Sequence, residues 1–150
     1  LHTNDAPSSI TRLVNMGTPN YLISAALTLI MAQRLARKSC LDCRALDENI
    51  TPKLLNSIGF LPEQSARAKI YKGKGCEECS GSGYKGRMGI YEILEIDNEL
   101  KAGILSNLQQ TELNAIAKKN GFRTMQDMGQ DLLLSGDLSF AEYERVLQSN

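Results

Sequence analysis

Apolar positions recur at helical spacing towards both ends of this 150-residue chain and fall into short extended runs in its middle. Leu1 to Thr3 reads as the end of a buried strand. Asp5 then caps a helix with Pro7 in its first turn, where a missing N–H costs nothing. Ile10, Leu13 and Val14 mark the buried side of that helix, and Gly17 ends it. Thr18 and Pro19 start a second, longer helix that the pattern carries to Lys38. Tyr21, Leu22, Ala25, Ala26, Leu29, Ile30 and Leu35 lie on its buried side. Its middle is apolar nearly all round, so it is expected to be covered on several faces.

The middle of the chain changes character. Thr51 and Pro52 cap a short helix carrying Leu54, Leu55 and Ile58, stopped by Gly59. Ala68 to Lys72 reads as a strand, and Gly73-Lys74-Gly75 as a turn. Gly81, Gly83 and Gly86 then crowd one short stretch and permit tight turns. Met88 to Ile96 reads as a second strand. From Asn98 onward everything is helical in pattern. Leu100, Ile104 and Leu105 share a face. Thr111 caps a helix to Lys119, and Thr124 starts one ended by Gly136. Ser139 starts the last, Phe140 to Leu147, with Glu142 completing a capping box. The fold class expected is α+β, mostly helical, closing in a small helical bundle.

Apolar residues make up 42% of the chain, enough for an ordinary core. The net charge is zero but unevenly spread. Arg34 to Ile90 holds 11 Lys/Arg against 6 Asp/Glu, and Tyr91 to Asn150 holds 5 against 10. A basic middle can meet phosphates or an acidic partner, or simply form a solvated face. Only Phe60, Tyr71 and Tyr84 are available there for base stacking, so nucleic acid is not the expected partner. The uncharged run from Thr18 to Gln33 falls short of the roughly 20 apolar residues needed to span a bilayer. No basic-then-apolar leader is visible. The chain reads as cytoplasmic. Its abrupt start at Leu1 reads as a piece of something longer.

The candidate chemistry lies in four cysteines. Cys40 and Cys43 form one C-x-x-C pair, Cys76 and Cys79 another, with 32 residues between the pairs and no cysteine left over. Two thiolates three positions apart on a tight turn can face one ion, and two such turns make a tetrahedral four-sulfur site suited to Zn²⁺. Other readings exist. A disulfide framework needs an oxidising compartment. A dithiol redox motif leaves the second pair unexplained. A [4Fe–4S] cluster commonly uses more compact spacings. Zinc is the expectation. The site is expected to be structural, because four sulfur ligands leave no open position.

Several stretches fall in one order. Leu1-His2-Thr3-Asn4-Asp5-Ala6 precedes Thr11-Arg12-Leu13, and Gln33-Arg34-Leu35 leads towards the first cysteine pair. Gly75-Cys76-Glu77-Glu78-Cys79 is followed by Gly83-Tyr84-Lys85-Gly86-Arg87-Met88-Gly89-Ile90-Tyr91-Glu92, and later by Gly121-Phe122-Arg123-Thr124-Met125. Together they resemble the C-terminal third of the ATPases that drive type II secretion and type IV pilus assembly. The resemblance implies that residues 1–38 end a RecA-like α/β ATPase core, that 39–90 form a tetracysteine zinc subdomain and that 91–150 form a C-terminal helical subdomain. It puts His2 at the family's histidine box, near the nucleotide, where it would meet the terminal phosphate or the attacking water, or brace the strand end. It also implies ATP and Mg²⁺ as ligands of the full-length protein, a homo-hexameric ring, and an inner-membrane platform protein as partner at the cytoplasmic face. The chain has no G-x-x-x-x-G-K-[ST] loop and no acidic stretch after an apolar strand, so it is expected not to hydrolyse ATP alone. Two other readings stand beside this one. Cys76 to Gly83 fits one copy of the C-x-x-C-x-G-x-G repeat of DnaJ-like co-chaperones, and a zinc ribbon could act as a plain interaction module.

Overall fold

In a computed structural model, which describes residues 5–148, the chain is a mixed α+β protein, about half helical. Helix α1 spans Ala6–Asn15. Its N-cap is Asp5, whose side chain accepts from the Ser8 N–H at 2.7 Å, with Pro7 in the first turn. The remaining elements follow in order: α2 (Asn20–Ala26), β1 (Leu29–Ser39), β2 (Arg44–Leu46), α3 (Pro52–Ser57), α4 (Pro62–Arg67), β3 (Tyr71–Gly73), a 3-10 turn at Glu77–Cys79, β4 (Tyr84–Glu95), α5 (Asn98–Leu105), α6 (Gln110–Lys119), α7 (Met125–Ser135) and α8 (Phe140–Tyr143), which runs on as a wider π-type turn over Glu144–Gln148.

The long helix expected from Thr18 to Lys38 is not formed. It is the short α2, then an extended Leu27 (φ −82°, ψ 123°), then the eleven-residue strand β1. Helical spacing and alternation are both present in Leu29–Leu35. The apolar residues Leu29, Met31 and Leu35 alternate with the less exposed Ile30 and Ala32, and pairing with β4 decides between the two. At the ribbon's two ends Ile96 donates to the Thr28 carbonyl and Cys40 to that of Gly83, both at 2.9 Å, so the strands run antiparallel. β4 begins at Tyr84, four residues before the expected Met88, because the glycine-rich stretch leads directly into the ladder. The second sheet pairs β2 with β3 antiparallel, Arg44 opposite Gly73 and Leu46 opposite Tyr71.

The chain divides into two compact units, and the division falls within β1 and β4. The first contains residues up to Gln33 and Tyr91–Met125. Its core gathers Ala6 and Ile10 of α1, Ile23 of α2, Leu94 of β4, Ile96, Leu100 and Ile104 of α5, and Leu113 and Ala117 of α6. Leu105, expected on the same face as Leu100, is exposed; α5 is short and buries one narrow stripe. Glu92 is buried in this unit and accepts from the backbone N–H of Ala6 and from that of Met125 at 3.0 Å. A carboxylate at two helix N-termini meets unpaired donors and the positive end of each dipole.

The second unit contains Arg34–Ile90 and residues from Gln126 onward. It buries Leu55, Phe60, Ile70, Ile90, Leu133, Leu138, Phe140 and Tyr143. Gln130 of α7 donates to the Ile58 carbonyl at 2.8 Å, and the Ser39 N–H donates to the Asp137 carbonyl at 2.8 Å. The helices expected as one terminal bundle are thus shared out, α5 and α6 in the first unit and α8 with nearly all of α7 in the second.

Candidate metal centre

Each cysteine pair sits on a turn at a strand end. Cys40 follows β1 directly, and the chain turns through Leu41 and Asp42 to Cys43, immediately before β2. On the other side β3 ends at Gly73, the Lys74 N–H donates to the Cys43 carbonyl at 3.1 Å, and Cys76 opens the 3-10 turn that contains Cys79. Ser80 (φ 51°), Gly81 (φ 77°) and Gly83 (φ 78°) then reverse the chain into β4. The β2–β3 register is what brings the two turns face to face.

The four sulfurs converge. Cys40 and Cys76 are 3.8 Å apart, Cys43 and Cys79 3.8 Å, and Cys76 and Cys79 3.7 Å, with all four within 4.8 Å of one another. All four cysteines are free thiols. A zinc–sulfur bond of about 2.3 Å implies sulfur–sulfur edges of about 3.8 Å in a regular tetrahedron. The donor set therefore fits that ion in both chemistry and spacing. Disulfides, by contrast, need about 2 Å between sulfurs.

Backbone N–H groups point at two of these sulfurs. Gly75 donates to Cys43 Sγ at 3.3 Å, and both Cys76 and Gly83 donate to Cys79 Sγ at 3.2 Å. Cys79 is held down at about 6, chiefly by the Cys76 N–H, against the opposing effect of burial and with help from Gly83. Burial raises Cys40 instead. Outside the sulfurs, Lys85 Nζ lies 2.7 Å from Glu78 and 3.9 Å from Asp42, placing a cation between the acidic spacers of the two pairs.

Of the residues singled out in the sequence, Cys40, Cys43, Cys76 and Cys79 are brought together. His2 lies outside the described residues. A buried polar group in the same unit went unread. Glu142, assigned to a capping box, forms only half of one: its N–H donates to Ser139 Oγ at 3.2 Å. Its carboxylate turns inward to the Arg37 N–H at 2.7 Å, to the Arg37 guanidinium at 2.7 and 3.0 Å, and to Arg145. Arg37 also lies over the Tyr84 ring, 4.1 Å from its centre, and Tyr84 Oη meets Ser139 Oγ at 3.0 Å. Arg145 reaches Glu142 from three residues along the chain, whereas no local spacing joins Arg37 to Glu142; that pair depends on β1 being extended.

A sequence model of the family described as "Type II/IV secretion system protein" matches residues 1–145. The chain belongs to that family. The chain is 39% identical over 142 residues to the type IV pilus assembly ATPase PilB of Thermus thermophilus, a match that covers 95% of the chain and 16% of that protein. It is 38% identical over 146 residues to PilB of Pseudomonas aeruginosa, covering 97% and 25%. It is 35% identical over 146 residues to a putative type II secretion system protein E of Escherichia coli, covering 97% and 29%. The chain thus spans less than a third of the length of these relatives. No helix among its described residues is long and apolar enough to cross a membrane.

Proposed function

We propose that this chain is the zinc-bearing part of a traffic ATPase that couples ATP hydrolysis to type IV pilus assembly or type II protein secretion. The family match over residues 1–145 carries the reading, and the sulfur tetrahedron supplies its local content. In the full-length protein the ATPase works as a homo-hexamer with ATP and Mg²⁺, held peripherally at the cytoplasmic face of the inner membrane by a platform protein. Residues 1–38 end the RecA-like core, with His2 as its histidine box in a supporting role. Along the sequence, residues 39–90 carry the zinc-binding segment and 91–150 the C-terminal helices, which the two compact units share.

When bound, Zn²⁺ supplies a four-way crosslink and no reactive position. The work of this chain's residues is mechanical. Cys40 and Cys43 fix the end of β1, Cys76 and Cys79 fix the start of β4, and both strands continue into the first unit.

The test uses metal analysis, ATP turnover and full-length variants together. About one zinc per chain, lost in Cys76→Ser, is expected. No ATP turnover is expected from this chain alone, because the phosphate cradle is absent from it. Turnover that disappears in His2→Ala would overturn that expectation. Cysteine-to-serine variants of the full-length ATPase that keep ring assembly, hydrolysis rate and pilus or secretion output would remove the clamp role.

A further inference from the structure

The approach of the two cysteine turns depends on a backbone contact in which side chains have no place. A Cβ built on Gly73 would lie 2.0 Å from the Gly83 carbonyl oxygen, and one built on Gly83 would lie 2.6 Å from the Gly73 oxygen. A second contact repeats the pattern one step further on: a Cβ on Gly75 would lie 2.5 Å from the Gly81 oxygen. Real Cβ atoms do not approach backbone this closely, and backbone cannot swing aside as a side-chain end can. Gly73 is the informative member. Its φ is not among the positive ones, so conformational freedom does not require glycine there. Close approach alone does.

The atoms at this contact are those that connect the sulfurs. The Gly83 oxygen accepts from the Cys40 N–H at 2.9 Å, and the Gly83 N–H donates to Cys79 Sγ at 3.2 Å. From the Gly73 side, the next two residues reach the remaining turn: Lys74 donates to the Cys43 carbonyl at 3.1 Å, and Gly75 to Cys43 Sγ at 3.3 Å. Pushing Gly73 and Gly83 apart would therefore disturb a cysteine on each turn together. We propose that Gly73 and Gly83 are positioning residues for the metal: their backbone contact presets the four sulfurs before the ion arrives and so sets its affinity. This rests on the zinc reading above. Outer-shell groups of this kind, which orient ligands without touching the metal, typically change affinity by about 10–100-fold when altered.

The experiment is Zn²⁺ competition against a chromogenic chelator, with Co²⁺ substitution to read thiolate coordination by absorption. Gly73→Ala is expected to weaken Zn²⁺ binding by about 10–100-fold and to change the Co²⁺ bands. Gly86→Ala carries the positive-φ penalty (φ 81°) with nothing within 4 Å of its Cβ, and should bind like the wild type. Leu133→Ala, a core change in the same unit, should lower stability and leave the Co²⁺ bands unchanged. Gly75→Ala provides the second variant where Gly73→Ala does not fold, and the same loss of affinity is expected of it. Affinity within twofold of wild type in a folded Gly73→Ala or Gly75→Ala protein would overturn the proposal and leave the zinc reading intact. An equal loss in Leu133→Ala would overturn it as well, by making the effect one of general stability. A wild-type chain that binds no Zn²⁺ would overturn the zinc reading itself.

Discussion

Replacing Glu142 by glutamine keeps the side chain's shape and removes the charge between Arg37 and Arg145. The carboxylate is fully buried, whereas the two arginine side chains are 48% and 52% exposed. Burial opposes its ionisation, but hydrogen bonds from Arg145 and Arg37 outweigh that and bring the group from its ordinary 4.5 down to about 2. At about 1.4 kcal/mol for each pH unit, this corresponds to about 3 kcal/mol of stability near neutral pH. Breaking a buried pair commonly costs about 3–5 kcal/mol. The lower end applies here, because the freed guanidinium groups can return to water. The sign follows from the lowered value. The stabilisation is complete above the unfolded carboxyl's range and is lost as pH falls towards about 2. Urea unfolding of wild type and Glu142→Gln, run side by side from pH 7 to pH 3, checks this. The difference should be about 3 kcal/mol at the upper end and shrink to roughly 1 kcal/mol at the lower, with unchanged slopes. Metal loss in acid affects both proteins and drops out of the comparison. A difference that stays constant across the range, or that is below about 0.5 kcal/mol at pH 7, the usual size for an ordinary surface change, would refute the reasoning.

Two further perturbations separate the units. Chelation should remove hydrogen-exchange protection from Ser39 to Gly86 first, since a structural zinc contributes on the order of 10 kcal/mol; amides of Leu113 to Ala117 in α6 should stay protected, and a uniform loss would contradict this. In α5, Leu100→Ala should cost about 2–5 kcal/mol as a core deletion, while Leu105→Ala, on an exposed residue, should cost under about 0.5 kcal/mol by chemical denaturation.

Local chemistry was legible in the sequence, and long-range pairing was not. The cysteine spacing identified the centre because each pair makes a complete turn by itself. The caps at Asp5 and Thr51 were legible for the same reason: each bond closes over three residues. Leu29 to Lys38 misled because its apolar residues satisfy helical spacing as well as alternation, and the deciding partner, β4, lies some fifty residues later. β2 was invisible, since Arg44-Ala45-Leu46 has no strand signal until Tyr71–Gly73 lies beside it. Glu142 illustrates a motif correctly located and only half used: the serine caps as expected, and the glutamate finds a stronger partner than the helix end.

The pairing of Arg44–Leu46 with Tyr71–Gly73 bears on how the protein tolerates change in length. Everything from Asp47 to Ile70 is an excursion whose ends are already tied, by the Asp47 N–H to the Ile70 carbonyl at 2.8 Å and by Lys72 to Asp47 at 2.8 Å. The closure entropy of such an excursion grows only with the logarithm of its length, by about 0.6 kcal/mol per doubling. Glu48 and Asn49 are exposed at its near end. A foreign segment grafted there would lengthen the loop without touching the cysteines, Gly73 or the buried Leu55 and Phe60, which makes this turn the natural place to attach a reporter to the chain.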